Sequence, residues 1–117
     1  MKAWEKVCIR LEINLRNYLN DKAAALGQYT PWLVRKVVSE ELEKYRLDKE
    51  GYQVDPRRKK YAPAKGASVK TTSPQMSVYL TPFDHETLME LCDRVGETPR
   101  LIIPGLLLNN SVCDGLL

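Results

Sequence analysis

The chain has 117 residues, of which 44% are apolar and 28% charged, a composition that excludes a disordered protein and fits one small domain or two halves sharing a core. The N-terminus lacks an apolar signal core, and the longest apolar run, 101–108, contains Pro104 and Gly105, so we expect neither a signal peptide nor a membrane span. Three cysteines without C-x-x-C spacing make disulfides unexpected and favour a cytoplasmic protein.

The net charge of +3 is unevenly distributed along the chain. Residues 1–46 contain nine basic and six acidic residues, which gives +3, and residues 47–73 contain seven and three, which gives +4. Residues 74–117 contain two basic and six acidic residues, which gives −4. A basic region of this kind attracts polyanions, but it is equally typical of an ordinary solvated surface.

The first predicted element is a strand over residues 6–11, where polar and apolar side chains alternate. Because strand side chains alternate between two faces, one face is apolar and the other polar. The apolar face carries Val7, Ile9 and Leu11, and the polar face carries Lys6, Cys8 and Arg10.

Two predicted helices follow this strand. Leucine and alanine recur at spacings of three and four over residues 13–26, and Gly27 follows where a helix would end. Thr30 is suited to the N-cap position and Pro31 to the first turn, so a second helix is predicted over 31–46. On its polar face, Glu40 and Lys44 are spaced for an ion pair.

Residues 47–73 have no apolar periodicity and are predicted to be a basic flexible linker. They include a run of four cations, namely Arg57, Arg58, Lys59 and Lys60. Such a run is either a solvated part of the linker or an arm that contacts phosphates.

The order of elements then recurs in residues 74–117. A strand is predicted over 75–80, a helix over 82–95 that ends at Gly96, and a last apolar segment over 100–110. The strand directs Met76, Val78 and Leu80 to one face and Gln75, Ser77 and Tyr79 to the other. Adding 69 to a position in residues 1–46 gives its counterpart, so the chain contains an internal repeat.

Two such short strands are unstable alone, and pairing them under a cover of helices buries both apolar faces. The expected fold is therefore mainly α with a short two-stranded antiparallel ribbon. We divide the chain into a first repeat (1–46), a basic linker (47–73) and a second, divergent repeat (74–117).

The twofold succession of strand, helix, glycine turn and helix resembles the ribbon-helix-helix (Arc/MetJ-like) family, and two copies in one chain resemble the tandem arrangement of TraY. The matching residues are Ile9–Leu11, Gly27 and Trp32–Arg35 in the first repeat, and Val78–Thr81, Gly96 and Leu101–Ile103 in the second. The resemblance implies an intramolecular pseudo-dimer whose ribbon enters the major groove of double-stranded DNA.

By this resemblance the base-contacting positions are Lys6, Cys8, Arg10, Gln75, Ser77 and Tyr79. Arg10 can donate two hydrogen bonds to guanine, and Gln75 can recognise adenine in a similar way. In the family, the start of the second helix of each repeat clamps a phosphate. The corresponding phosphate-contacting residues are Tyr29, Thr30 and Trp32 in the first repeat, Thr98 and Arg100 in the second, and the linker cations 57–60.

Two departures from the family pattern stand out in the second repeat. Pro104 and Gly105 occupy the positions of Arg35 and Lys36, so the last helix is expected to be kinked, shortened or partly non-helical. The second repeat also has no cation on its outward strand positions, which predicts an asymmetric reader of DNA. The repeats pair either within one chain or between two chains, and the high effective concentration of linked strands favours the former.

The expected function is sequence-specific DNA binding, as a transcriptional repressor or as an accessory factor in plasmid or phage DNA processing. Self-association of pseudo-dimers on DNA is compatible with this function. The alternative is a protein-interaction module, an antitoxin or inhibitor, which would hold a protein partner through the linker or the Leu-rich end of the chain (106–108 and 116–117). No catalytic set, metal-ligand spacing or phosphate loop is apparent, so we expect neither an enzyme nor a cofactor, and His85 fits an ordinary surface position.

Overall fold

A computed structural model describes residues 3–56 and 74–115. In chain order the elements are strand β1 (Glu5–Ile9), helices α1 (Ile13–Ala25) and α2 (Thr30–Leu47), strand β2 (Met76–Leu80), helices α3 (Pro82–Val95) and α4 (Pro99–Asn109), and a 3₁₀ turn (Ser111–Cys113). The expectation of a mainly helical protein with a two-stranded antiparallel sheet is confirmed.

Strands β1 and β2 pair with each other within the chain. The antiparallel ladder sets Glu5 opposite Leu80 and Ile9 opposite Met76. The strands are shorter than the predicted 6–11 and 75–80, because the backbone leaves the ladder after Ile9 to enter α1 at Ile13. Leu11 is nevertheless fully buried, so its predicted inward position is confirmed although it lies outside the strand.

The inner face of the sheet is covered by helices of the opposite half of the chain. Helix α2 packs against β2, helix α4 packs against β1, and α2 and α4 pack against each other. The apolar residues of both strands and all four helices form a continuous buried cluster. Because each strand is covered by the other half's helix, neither half has a separate core.

The 69-residue offset recurs in the structure. Helices α1 and α3 begin at positions 13 and 82, and α2 and α4 begin at 30 and 99. Gly27 and Gly96, which follow α1 and α3, both adopt the left-handed backbone conformation, with φ of 68° and 81°. In the ladder, Cys8 lies opposite Ser77, its own counterpart at this offset, as two repeats related by an approximate two-fold axis require.

Helix α4 has 11 residues, whereas α2 has 18, so the expected shortening is confirmed. The helix nevertheless continues through Pro104 and Gly105, and both residues are buried. A Cβ atom at Gly105 would overlap the carbonyl oxygen of Asp55 and would lie 2.8 Å from Val54 Cγ2. The chain at 54–55, within the predicted linker, therefore crosses α4 where glycine leaves room.

Replacing Gly105 with alanine tests this close crossing. Helix propensity alone would make Gly105→Ala stabilising by about 1 kcal/mol. We expect the opposite, a decrease of about 1–3 kcal/mol in the free energy of unfolding, because the new methyl group must displace residues 54–55. Denaturant titration followed by circular dichroism measures the change.

The matched control is Lys36→Ala, because Lys36 is the counterpart of Gly105 in α2 and is exposed. This control should change the free energy of unfolding by no more than about 0.5 kcal/mol. A Gly105→Ala protein more stable than the wild type would contradict the proposed crossing.

Candidate functional site

The outer face of the β-ribbon is the candidate site, and it is built by the ladder register. Since Val7 and Val78 face the core, the residues beside them in sequence face away from it. Lys6 lies opposite Tyr79, and both are exposed, Tyr79 to 51%. The predicted outward positions of these residues are confirmed.

The centre of this face is the pair Cys8 and Ser77. Both side chains are half-buried, and Cys8 Sγ lies 3.8 Å from Ser77 Oγ, a hydrogen-bonding distance for sulfur. Both side chains are shorter than those of Lys6 and Tyr79, the next outward pair of the ladder. Lys6 and Tyr79 lie on one side of the central pair, and the chain continues to Arg10 and Gln75 on the other.

Arg10 and Gln75 lie just beyond the last ladder pair, and both are exposed. Continuing the register by one step sets them opposite each other. Arg16 of α1 donates a hydrogen bond of 2.9 Å from Nη1 to the carbonyl oxygen of Pro74. This contact fixes the chain directly before Gln75 against α1, so the ribbon is held at this end by more than its ladder.

The starts of α2 and α4, where phosphate contacts are predicted, have matching backbone geometry. The N–H groups of Trp32 and Leu33 donate to the carbonyl oxygen of Tyr29, at 3.1 and 3.3 Å. At the equivalent positions, the N–H groups of Leu101 and Ile102 donate to Thr98, at 3.0 and 3.1 Å. The first turns of α2 and α4 therefore have the same pattern of backbone hydrogen bonds.

The predicted phosphate-contacting side chains at these helix starts differ in accessibility. Tyr29 is 84% exposed, and Thr98 and Arg100 are exposed as well. Trp32 instead packs against the core, and the hydroxyl of Thr30 donates to Asn20 Oδ1. The side chains of these two residues are therefore less accessible to a phosphate than those of Tyr29, Thr98 and Arg100.

Arg35 connects the start of α2 with the start of the ribbon, a contact that the sequence analysis did not identify. Its guanidinium group lies over the ring of Trp4 at 5.0 Å from the centroid. Trp4 directly precedes β1 and is half-exposed, so it holds a third cation close to the end of the ribbon that bears Lys6. The predicted phosphate-contacting residues Arg57, Arg58, Lys59 and Lys60 lie outside the described residues.

A buried carboxylate is the feature that the sequence analysis missed. Glu41 is 1% exposed, and its oxygens accept hydrogen bonds of 2.8 Å from Tyr52, Lys44 and Asn110. Lys44 thus pairs with Glu41 rather than with the expected Glu40, and this hydrogen bond raises the pKa of Lys44. In the sequence, Glu41 follows Val37 and Val38 at spacings of four and three residues, and this spacing indicates that it shares their inward face.

The cluster around Glu41 attaches the chain after α2 to the core. Tyr52 donates to Glu41, and Asn109 of α4 donates to the hydroxyl of Tyr52 and to the carbonyl oxygen of Gln53, at 3.3 and 2.6 Å. Burial is the main reason why the pKa of the Tyr52 hydroxyl is raised above its ordinary value. Asn110 is the counterpart of Glu41 at the 69-residue offset, so the two halves again meet at equivalent positions.

A second polar cluster joins the end of α2 to the start of α3. Arg46 donates from Nη1 to Asp84 and Thr87, at 3.3 and 3.0 Å, and its guanidinium group lies 4.2 Å from the centroid of the Phe83 ring. A further bond from Nη2 reaches Glu43 at 2.7 Å. Because its donors already have partners within the chain, Arg46 has a structural role rather than that of a ligand-binding cation.

Other parts of the molecule bear on protein binding, cysteine-based catalysis, metal binding and membrane insertion. Of the leucines that suggested a protein-binding surface, Leu106 and Leu107 are fully buried and Leu108 packs against the core, whereas residues 116–117 lie outside the described residues. Burial raises the pKa of the Cys92 and Cys113 thiols to about 11, which makes them poor nucleophiles at neutral pH. Within residues 3–56 and 74–115, no three His, Cys, Asp or Glu side chains lie together as metal ligands. No helix in this part of the chain is long and apolar enough to cross a membrane.

Comparisons with protein-family models, with curated proteins and with solved structures found no match to this chain.

Removing the Tyr52 hydroxyl tests the cluster around Glu41. We expect Tyr52→Phe to lower the free energy of unfolding by about 1–3 kcal/mol, because the buried Glu41 carboxylate loses one of its donors. Tyr29→Phe is the matched control, since Tyr29 is 84% exposed, and it should leave stability within about 0.5 kcal/mol of the wild type.

The free energies of unfolding of the wild type and of Tyr52→Phe should also depend differently on pH. The raised pKa of Tyr52 means that its stabilising effect is complete below the unfolded pKa of about 10 and is lost as the pH rises toward the folded value. Wild-type stability should therefore fall more steeply above pH 10 than that of Tyr52→Phe. Equal slopes for the two proteins would contradict the buried position of this hydroxyl.

Proposed function

We propose that this protein is a sequence-specific double-stranded DNA-binding protein that folds as a tandem ribbon-helix-helix pseudo-dimer within one chain. The observation that carries the proposal is the exposed outer face of the ribbon, which combines Lys6 and Arg10 with Gln75 and Tyr79. Its biological role would be that of a cytoplasmic transcriptional repressor or an accessory factor in plasmid or phage DNA processing.

The dimensions and chemistry of the ribbon suit the major groove of DNA. A two-stranded β-ribbon fits this groove, and side chains at alternate positions on its outer face reach the base edges. Arginine, lysine and glutamine can each form directed hydrogen bonds with the acceptors and donors exposed there. The short Cys8 and Ser77 side chains allow the middle of the ribbon to approach the groove floor.

The surroundings of the ribbon support contacts with the DNA backbone. Helices α2 and α4 have similar N-terminal geometry, and the positive end of a helix dipole attracts phosphate. Near these starts, Arg35 lies beside the first strand and Arg100 is exposed on α4. The cations at 57–60 would add nonspecific attraction, so the protein should bind DNA more weakly as salt increases.

Replacing Arg10 with alanine tests this function. We expect Arg10→Ala to weaken binding to the preferred duplex by about tenfold to a hundredfold, because a bidentate contact with guanine contributes about 1–3 kcal/mol of discrimination. Binding to an unrelated duplex should change much less. Fluorescence anisotropy with labelled duplexes, selected beforehand from a random pool, measures both affinities.

The matched control is Arg94→Ala, which removes an equal charge from the exposed last turn of α3. It should leave the ratio of specific to nonspecific affinity unchanged. If Arg10→Ala and Lys6→Ala both left specific affinity at the wild-type level, the ribbon would not be the reading surface. A salt-insensitive complex with a protein, without duplex binding, would instead select the interaction-module alternative.

A further inference from the structure

The ladder register distributes the chemistry of the ribbon between its ends rather than between its strands. One end carries Lys6 opposite Tyr79, and the other carries Arg10, with Gln75 opposite it when the register is continued by one step. Each end therefore has a cation from the first half of the chain and a neutral side chain from the second. Although the outward face of β2 has no cation, both ends of the ribbon therefore carry one positive charge.

The two ends nevertheless differ chemically because the repeats have diverged at equivalent positions. At the 69-residue offset, Lys6 corresponds to Gln75 and Arg10 corresponds to Tyr79. Two identical repeats in this register would place the same pair of residues at both ends, which is how a symmetric ribbon reads a palindrome. Here the pairs are lysine with tyrosine and arginine with glutamine.

We propose that the ligand of this ribbon is a non-palindromic duplex with two unlike half-sites, one read by Lys6 and Tyr79 and the other by Arg10 and Gln75. This inference depends on the proposed DNA-binding function. The Arg10 end pairs a guanine-binding guanidinium group with an amide suited to adenine. The Lys6 end pairs a guanine-binding ammonium group with an aromatic ring suited to the methyl group of thymine.

The geometry separates the two half-sites. Lys6 and Arg10 are four residues apart, about 13 Å along an extended chain, so they face different base pairs. Cys8 and Ser77 lie between them with short side chains that are half-buried. The discrimination should therefore be greatest toward the two edges of the site and least at its centre.

The test is to make the outer face symmetric. In the variant Gln75→Lys/Tyr79→Arg, the outward row of β2 copies the lysine and arginine of β1, so both ends carry the same pair. Selection from random duplex DNA is carried out with the wild-type chain and with this variant. We expect a non-palindromic consensus for the wild type and a palindromic one for the variant.

Affinities for designed duplexes make the test quantitative. The wild type should bind its selected site at least about tenfold more tightly than either palindrome built from one of its half-sites, and the symmetric variant should bind a palindrome of its own selected half-site at least about tenfold more tightly than it binds the wild-type site. The charge control is Met89→Lys/Val95→Arg, which adds the same two cations at partly exposed positions of α3. Its consensus should stay identical to that of the wild type.

The outcomes separate the inference from the function on which it depends. A palindromic wild-type consensus, or a non-palindromic consensus from the symmetric variant, would overturn the division between ends while leaving DNA binding in place. If the charge control also changed the consensus, the change seen in the symmetric variant would be due to net charge, and the division between ends would again be overturned. Failure of the folded wild type to enrich any duplex would overturn the proposed function and this inference together.

Discussion

The pairing of β1 with β2 is the interaction on which the rest of the structure depends. These strands are about 70 positions apart in the chain, and two strands of five residues have little stability alone. Their pairing brings α2 over β2 and α4 over β1, so that both halves contribute to one core. It also leaves the opposite face of the sheet open to solvent. The same constraint thus produces the core and the candidate DNA-binding surface.

Polar contacts then distinguish the two halves of an otherwise repeated fold. Glu41 and Asn110 meet at equivalent positions, where a carboxylate accepts a hydrogen bond from an amide. Two glutamates at this place would repel each other unless one bound a proton, so the substitution of asparagine in the second half suits pairing within one chain. Tyr52 adds a second donor and attaches the chain after α2 to this buried group. Divergence of the repeats therefore favours the arrangement in which both belong to one molecule.

Most of the fold followed from local patterns in the sequence. Alternation identified the faces of both strands, and glycine and proline located helix ends to within one or two residues. The burial of Glu41 was missed because its hydrogen-bond donors Tyr52 and Asn110 lie outside α2 and meet it only in the tertiary structure. The sequence indicates that Gly105 disfavours a helix, but the crossing of residues 54–55 over α4 is a tertiary contact that no local pattern predicts. The outward positions of Lys6 and Tyr79 were predictable from alternation. That the two residues lie opposite each other follows only from the register of the ladder, which the structure supplies.

The central claim is that the outer face of the ribbon contacts DNA. Its most direct measurement is a titration of the ¹⁵N-labelled full-length chain with a selected duplex, followed through backbone amide NMR resonances. We expect the largest shifts at residues 6–10 and 75–79 and at the first turns of α2 and α4, with saturation at one chain per duplex site. Shifts confined to other surfaces, with the ribbon resonances unchanged at saturation, would contradict the claim.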